Sequence, residues 1–218
     1  MFEKFMKILK TESLLKKNLE LLKQMFELDT ELFNEAIGSL EKKDESIRKK
    51  LSKRDHEVNL LERNVRKKVL EHLSIQPKQD LTSALIMLNV GFNLERIGDY
   101  CKNIAELSGN FEEKALKSTE FKQLQRISSD INELMPLTRN AFYKADEELA
   151  GELVQKAKKI GKDCDYVIID LLEGTGFSQK SAISMSLLAR YLKRISAHLK
   201  NISYGIVEPF HLAETEKE

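Results

Sequence analysis

The 218-residue chain contains only 9 Gly and 3 Pro, well below the roughly 7% and 5% of average proteins. With 33% charged residues, 41% hydrophobic residues and no Trp, this composition excludes turn-rich β folds, collagen-like repeats and Pro-rich disorder, and it predicts an all-α protein built from amphipathic helices. The 36 basic and 35 acidic residues give a net charge of +1, which is too balanced for a nucleic-acid-binding protein.

Three helices are predicted in the first half of the chain, because apolar residues recur there at alternating spacings of three and four. They span residues 13–40, 44–73 and 80–109. Asp44 and Asp80 are suited to cap the second and third helices, since a carboxylate accepts hydrogen bonds from the free N–H groups at a helix start. Asp29 interrupts the apolar line of the first helix.

A polar stretch, residues 109–119, separates these helices from three more and is the predicted domain boundary. The later helices are predicted over residues 119–149, 151–172 and 178–207. The third and sixth helices resemble each other, because six of eleven residues are identical when residues 94–104 are aligned with residues 192–202. This internal repeat predicts two related three-helix bundles. The predicted domains are residues 1–110, residues 118–210 and an acidic tail, residues 211–218.

The cysteines and the hydropathy of the chain indicate where the protein resides. Cys101 and Cys164 stand among apolar helical residues without redox or zinc-binding spacing, so we expect reduced core thiols in a cytosolic protein. The longest apolar stretch, residues 84–92, is about half the ~18 residues that a membrane-spanning helix needs, and no secretory signal is recognisable. The sequence contains no recognisable grouping of catalytic residues and no glycine-rich phosphate-binding loop. We therefore predict that the protein is not an enzyme.

Two carboxylates, Glu95 and Asp99, lie one turn apart on the apolar face of the third helix. Like charges at this spacing oppose each other unless a cation bridges them. Two interpretations stay open: the acids reach water or Arg96 at the edge of the face, or they form half of a carboxylate metal site. On the second helix Asp55 and Asn59 have the same spacing and are suited to form the other half.

The segment LERIGDY at residues 94–100, followed by KNIAE at residues 102–106, resembles the signature of the PhoU family of bacterial and archaeal phosphate-signalling regulators. Residues 76–81 and 189–192 extend the resemblance over nearly the whole chain. The resemblance implies tandem three-helix bundles in a cytoplasmic regulator of phosphate uptake. It also implies a phosphate transporter subunit and a sensor histidine kinase as partners.

In this family, acidic pairs on the second and third helices of each bundle hold iron or zinc clusters. The positions implied as metal ligands in this chain are Asp55, Asn59, Glu95 and Asp99. Oxygen ligands of this kind suit iron, zinc, manganese or magnesium. In the second bundle Lys193 and Ala197 replace the acids, and only Asp163 and Asp165 remain nearby on the fifth helix, on different faces. We therefore expect metal on the first bundle only.

The leading hypothesis for function is a PhoU-like regulator that binds the phosphate transporter, the sensor kinase or both, with inorganic phosphate as a further ligand. One alternative is an accessory regulator of a sodium- or proton-linked phosphate carrier, which the divergent second repeat favours. Another, from a different class, is a carboxylate-bundle metal store or oxidoreductase. We expect a cytoplasmic homodimer that reaches the inner face of the membrane only through its partners, without membrane insertion or nucleic-acid binding.

Overall fold

A computed structural model describes residues 3, 6, 13–42, 45–75, 81–174 and 176–208 of the chain. Within these residues the secondary structure is helical and contains no strand, which confirms the predicted all-α class. The helices are α1 (Ser13–Ser39), α2 (Glu45–Ile75), α3 (Leu81–Glu106), α4 (Glu113–Leu116), α5 (Thr119–Lys144), α6 (Glu147–Leu172) and α7 (Gln179–Val207).

The long helices form two groups of three. Helices α1, α2 and α3 pack against one another and are called the first bundle, and α5, α6 and α7 form the second bundle in the same way. Each amphipathic helix buries its apolar face between its neighbours. The bundles also pack together through α3 and α7 and through α1 and α5. At the second contact the rings of Phe26 and Phe142 lie with their centroids 6.2 Å apart.

The junction between α5 and α6 differs from the sequence prediction of one helix over residues 119–149. Helix α5 ends earlier because Ala145 adopts a left-handed conformation with φ 56°, a geometry that closes helix ends. Asp146 then caps α6 by accepting a hydrogen bond from the N–H of Leu149 at 2.9 Å. Gly151, where the sequence predicts the next helix to begin, therefore lies inside α6.

The region between the bundles contains one element that the sequence did not predict, the short helix α4. Two of the later long helices, α5 and α7, begin at hydroxyl caps. Ser118 accepts a hydrogen bond from the N–H of Phe121 at 3.1 Å, and Ser178 accepts one from the N–H of Ser181 at 3.3 Å. The predicted caps of the second and third helices and the predicted acidic tail lie outside the described residues.

Two further expectations from the sequence concerned the state of the cysteines and the absence of a membrane-spanning helix. Cys101 and Cys164 are free and buried, as the sequence predicted. Burial raises the pKa of both thiols, that of Cys164 to about 12, which keeps them in the unreactive protonated form. In the described part of the chain, no helix combines the length and the hydropathy needed to cross a lipid bilayer.

Candidate metal-binding face of the first bundle

Acidic side chains of α2 and α3 meet on one face of the first bundle. Asp55 of α2 is buried, with only 5% of its surface exposed, and Glu95 and Asp99 of α3 are partly buried. Glu62, two turns after Asp55, is a further buried acid of this face. Asn59 is partly buried between them along α2, and no polar contact within the described residues joins it to the other predicted ligands.

Two basic side chains of α3 hold these carboxylates. Lys102 Nζ lies 3.0 Å from Oδ2 of Asp55 and 3.3 Å from Oδ1 of Asp99. Arg96 places Nε 3.0 Å from Oε2 of Glu95 and Nη1 3.0 Å from Oδ2 of Asp99. The pairing with Arg96 is one of the two interpretations left open by the sequence. Lys102, which joins α3 to α2, was not anticipated.

Asp29 on α1 is the acid that sequence reasoning left out of the site. Its side chain is fully buried, and neither carboxylate oxygen has a hydrogen-bond partner. The backbone of α3 lies directly against it, because a Cβ added to Gly98 would stand 3.2 Å from Oδ1 of Asp29. The signal was present in the sequence, since an acid on the apolar line of a helix is costly without a partner.

Burial sets the electrostatics of this face. It raises the pKa of Asp29 well above its usual value, and the neighbouring charges of Asp55 and Glu95 raise it further. Burial also raises the pKa of Glu95, where Arg96 acts in the opposite direction and the nearby acids add to the increase. Shifts in this direction mean that the carboxylates crowd one another in a partly desolvated place. Such a face favours an added positive charge.

The donor atoms of this face fit a metal ion, although their present arrangement does not form a closed site. Both oxygens of Asp29 and Oδ1 of Asp55 are buried without hydrogen-bond partners, and carboxylate oxygens suit iron, manganese and magnesium. Within the described residues, however, no three His, Cys, Asp or Glu side chains converge closely enough to hold one ion. An ion bound at Oδ1 of Asp55 would share that carboxylate with Lys102, whose ammonium group contacts Oδ2.

The corresponding positions of the second bundle have a different chemistry. Lys193, which takes the place of Glu95 in the repeat, donates hydrogen bonds to both carboxylate oxygens of Asp165 at 2.7 Å. Ala197, in the place of Asp99, has no ligand atom. An ammonium group here neutralises the acid that a cation would need.

Comparison with known proteins decides the family. Residues 22–108 and residues 124–206 each match the profile described as PhoU, the PhoU domain. The chain belongs to the PhoU family. The two matches fall on the two bundles, so the resemblance noted in α3 is confirmed. The second PhoU repeat is matched although it lacks the acidic pair.

Two curated relatives align with this chain over most of their length. The phosphate-specific transport system accessory protein PhoU homolog 1 of Thermotoga maritima is 25% identical over 189 residues, which cover 84% of this chain and 82% of the relative. The phosphate-specific transport system accessory protein PhoU homolog of Pseudomonas aeruginosa is 24% identical over 180 residues, covering 80% of this chain and 74% of the relative.

Solved structures support the same fold. The crystal structure of PhoU from Pseudomonas aeruginosa gives a TM-score of 0.82 at 21% identity and covers 91% of this chain and 98% of that chain. The crystal structure of the phosphate transport system regulatory protein PhoU from Streptococcus pneumoniae gives a TM-score of 0.77 at 18% identity, with both chains covered completely. The helical PhoU architecture is therefore that of this chain.

Proposed function

We propose that the protein regulates phosphate transport by binding a phosphate transporter subunit, a sensor histidine kinase or both. The observation that carries this proposal is the match of both bundles to the PhoU domain, together with a relative named as an accessory protein of the phosphate-specific transport system. The match covers 82% of that relative's length. The proposed role requires no covalent chemistry.

Exposed apolar side chains on α3 support a role in binding other proteins. Leu85 and Phe92 are 48% and 46% exposed, and their spacing of seven places them on the same side of the helix. Apolar side chains grouped on an otherwise polar surface are typical of protein–protein contacts. We propose this side of α3 as the surface that contacts the transporter or the kinase.

The test is recovery of partners from detergent-solubilised membranes of the source cells, with the whole protein as bait, in high and in low phosphate. We expect transporter or kinase subunits to be identified by mass spectrometry. Replacing Leu85 and Phe92 together by Ser should abolish their recovery. Replacing Ile169 and Leu172 of α6, which are 50% and 80% exposed, is the matched control and should preserve it.

Each outcome of this experiment separates the hypotheses. Absence of both transporter and kinase subunits under both phosphate conditions would contradict the proposal. Recovery of a sodium- or proton-linked phosphate carrier in their place would favour the alternative role as an accessory regulator of that carrier.

We also propose that a metal ion binds the acidic face of the first bundle. Support comes from both oxygens of Asp29 and from Oδ1 of Asp55, which are buried without hydrogen-bond partners. Asp55, Glu95 and Asp99 would hold the ion, with the side-chain carbonyl of Asn59 as a further donor. A bound ion would add positive charge to this acidic face. The surrounding residues of the first bundle would then determine which ligand or partner the face binds.

A further inference from the structure

The second bundle carries an open cavity of about 660 Å³ between α6 and α7. The basic residues of its lining are Lys158, Lys159, Lys162, Lys193 and Lys200. Asp165 is the only acid in this lining, and both of its carboxylate oxygens already accept hydrogen bonds from Lys193. The cavity, which we call the lysine cavity, therefore has a clear excess of positive charge.

Small residues keep the space of the lysine cavity open. Ala157, Gly161 and Ala197 are the lining residues with the least bulk, and a Cβ added to Gly161 would meet no other atom within 4 Å. The volume lies within the roughly 300–1,000 Å³ that is typical of ligand-binding pockets. This space exceeds what a single orthophosphate ion fills, so it favours a longer anion.

The repeat shows how this site differs from the corresponding positions of the first bundle. Lys200 corresponds to Lys102, which is engaged by Asp55 and Asp99 at 3.0 and 3.3 Å. Within the described part of the chain, Lys200 forms no hydrogen bond or ion pair, because the acids that would engage it are missing from the second repeat. Its ammonium group is available to a ligand.

We propose that the lysine cavity binds an anion with several linked phosphate groups, of the kind found in condensed inorganic phosphate. Ammonium groups form charge-assisted hydrogen bonds with phosphate oxygens, and Asp165 fixes the position of Lys193 at the cavity. Phospholipid headgroups offer related chemistry, and the experiment distinguishes them from a soluble anion. This inference goes beyond the proposed regulatory role and does not rest on it, because binding is measured on the isolated protein.

The experiment is calorimetric titration of the whole protein with tripolyphosphate and, separately, with orthophosphate. We expect saturable, salt-dependent binding of tripolyphosphate that is tighter than binding of orthophosphate. Replacing Lys162 and Lys200 together by Gln should weaken it at least about tenfold, since hydrogen bonds to charged groups are lost. Replacing Lys49 and Lys53, two exposed lysines of α2, removes the same charge and should leave tripolyphosphate binding unchanged.

Several results would overturn the proposal. The absence of saturable tripolyphosphate binding by the parent protein would do so directly. Equal weakening in the two double variants would attribute binding to net charge instead of to the lysine cavity. Co-sedimentation with anionic phospholipid vesicles, without saturable binding of tripolyphosphate, would assign these lysines to a lipid headgroup. Circular dichroism of each variant checks that the helical fold is retained.

Discussion

The ammonium group of Lys102 on α3 lies 3.0 Å from Oδ2 of Asp55 on α2, where it serves as the cation for a buried carboxylate. The same group lies 3.3 Å from Oδ1 of Asp99, so one lysine joins the acids of two helices. Its charge offsets the repulsion between those acids in metal-free protein. A metal ion bound to Asp55 would have to compete with this lysine.

Replacing Lys102 by Met should therefore have two opposite effects. The free energy of unfolding of metal-free protein should fall by about 1 to 3 kcal/mol, because Asp55 is only 5% exposed and loses its partner. Affinity for Mn²⁺ should rise, because the competing charge is gone. Urea denaturation in chelator and calorimetric titration with Mn²⁺ measure the two effects.

The control for this variant is Lys117→Met. Lys117 pairs with Glu113 at a fully hydrated surface, where an ion pair contributes about 0 to 1 kcal/mol. We expect little change in either measurement. A loss of Mn²⁺ affinity in Lys102→Met would contradict competition and would mean that the lysine supports the site.

The second prediction concerns the metal content of the purified protein. Replacing Glu95 and Asp99 together by Ala should abolish transition-metal binding. These two residues form the acidic pair of the first repeat, and the second repeat has Lys193 and Ala197 in their places. Elemental analysis of protein purified without added metal provides the measurement. Replacing Asp163 and Asp170 of α6 removes two acids from the second bundle and should leave the metal content unchanged. Undiminished metal in the first variant, or metal bound beside Lys193, would refute the first-bundle site.

Particular residues show how far sequence reasoning reached. Helical periodicity and the internal repeat can both be seen in the sequence itself. The long helices were therefore predictable, and so was the replacement of the acidic pair by Lys193 and Ala197 in the second repeat. The early end of α5 was not, because Ala145 adopts a conformation that glycine or asparagine usually provides. The bridge made by Lys102 depends on the distance between two helices. Asp29 was visible as an interruption of an apolar line, but its neighbours became known only from helix packing.

The third prediction follows from the buried carboxyl group of Asp29. Leu has nearly the same shape and would remove two buried oxygens that have no hydrogen-bond partner. Asp29→Leu should raise the free energy of unfolding of metal-free protein at neutral pH by about 1 to 3 kcal/mol, as measured by urea denaturation. A decrease would instead mean that the carboxyl group stabilises the folded state.

The pH dependence of Asp29 has a definite sign. Because burial raises its pKa in the folded protein, the folded state keeps a proton that the unfolded state releases above a pKa of about 3.9. The contribution of Asp29 to stability is therefore present at low pH and is lost as the pH rises towards the folded pKa. Asp29→Leu should lack this component, and identical pH profiles for the variant and the parent protein would contradict the assignment.

The fourth prediction concerns His198, which lies where α7 packs against α3. Its Nδ1–H donates a hydrogen bond to Oδ1 of Asn93 at 2.9 Å, and its ring stacks on Tyr100 with centroids 5.8 Å apart. Burial, followed by the positive charges of Arg194 and Arg96, lowers the pKa of His198 to about 4. The imidazole is therefore neutral in the folded protein at a pH where it is protonated in the unfolded chain.

This difference makes the contact between the bundles sensitive to acid. Below the ordinary pKa of 6.5 the unfolded state binds a proton that the folded state does not, so stability should fall as the pH decreases from 6.5 towards 4. His198→Gln keeps a hydrogen-bonding side chain but cannot titrate, so its free energy of unfolding should fall less over this range, as measured by urea denaturation at each pH. Other acid-sensitive groups affect both proteins equally, and His56→Gln, at an exposed position of α2, should follow the parent curve. Parallel curves for His198→Gln and the parent protein would show that protonation of this histidine does not control the contact between α3 and α7.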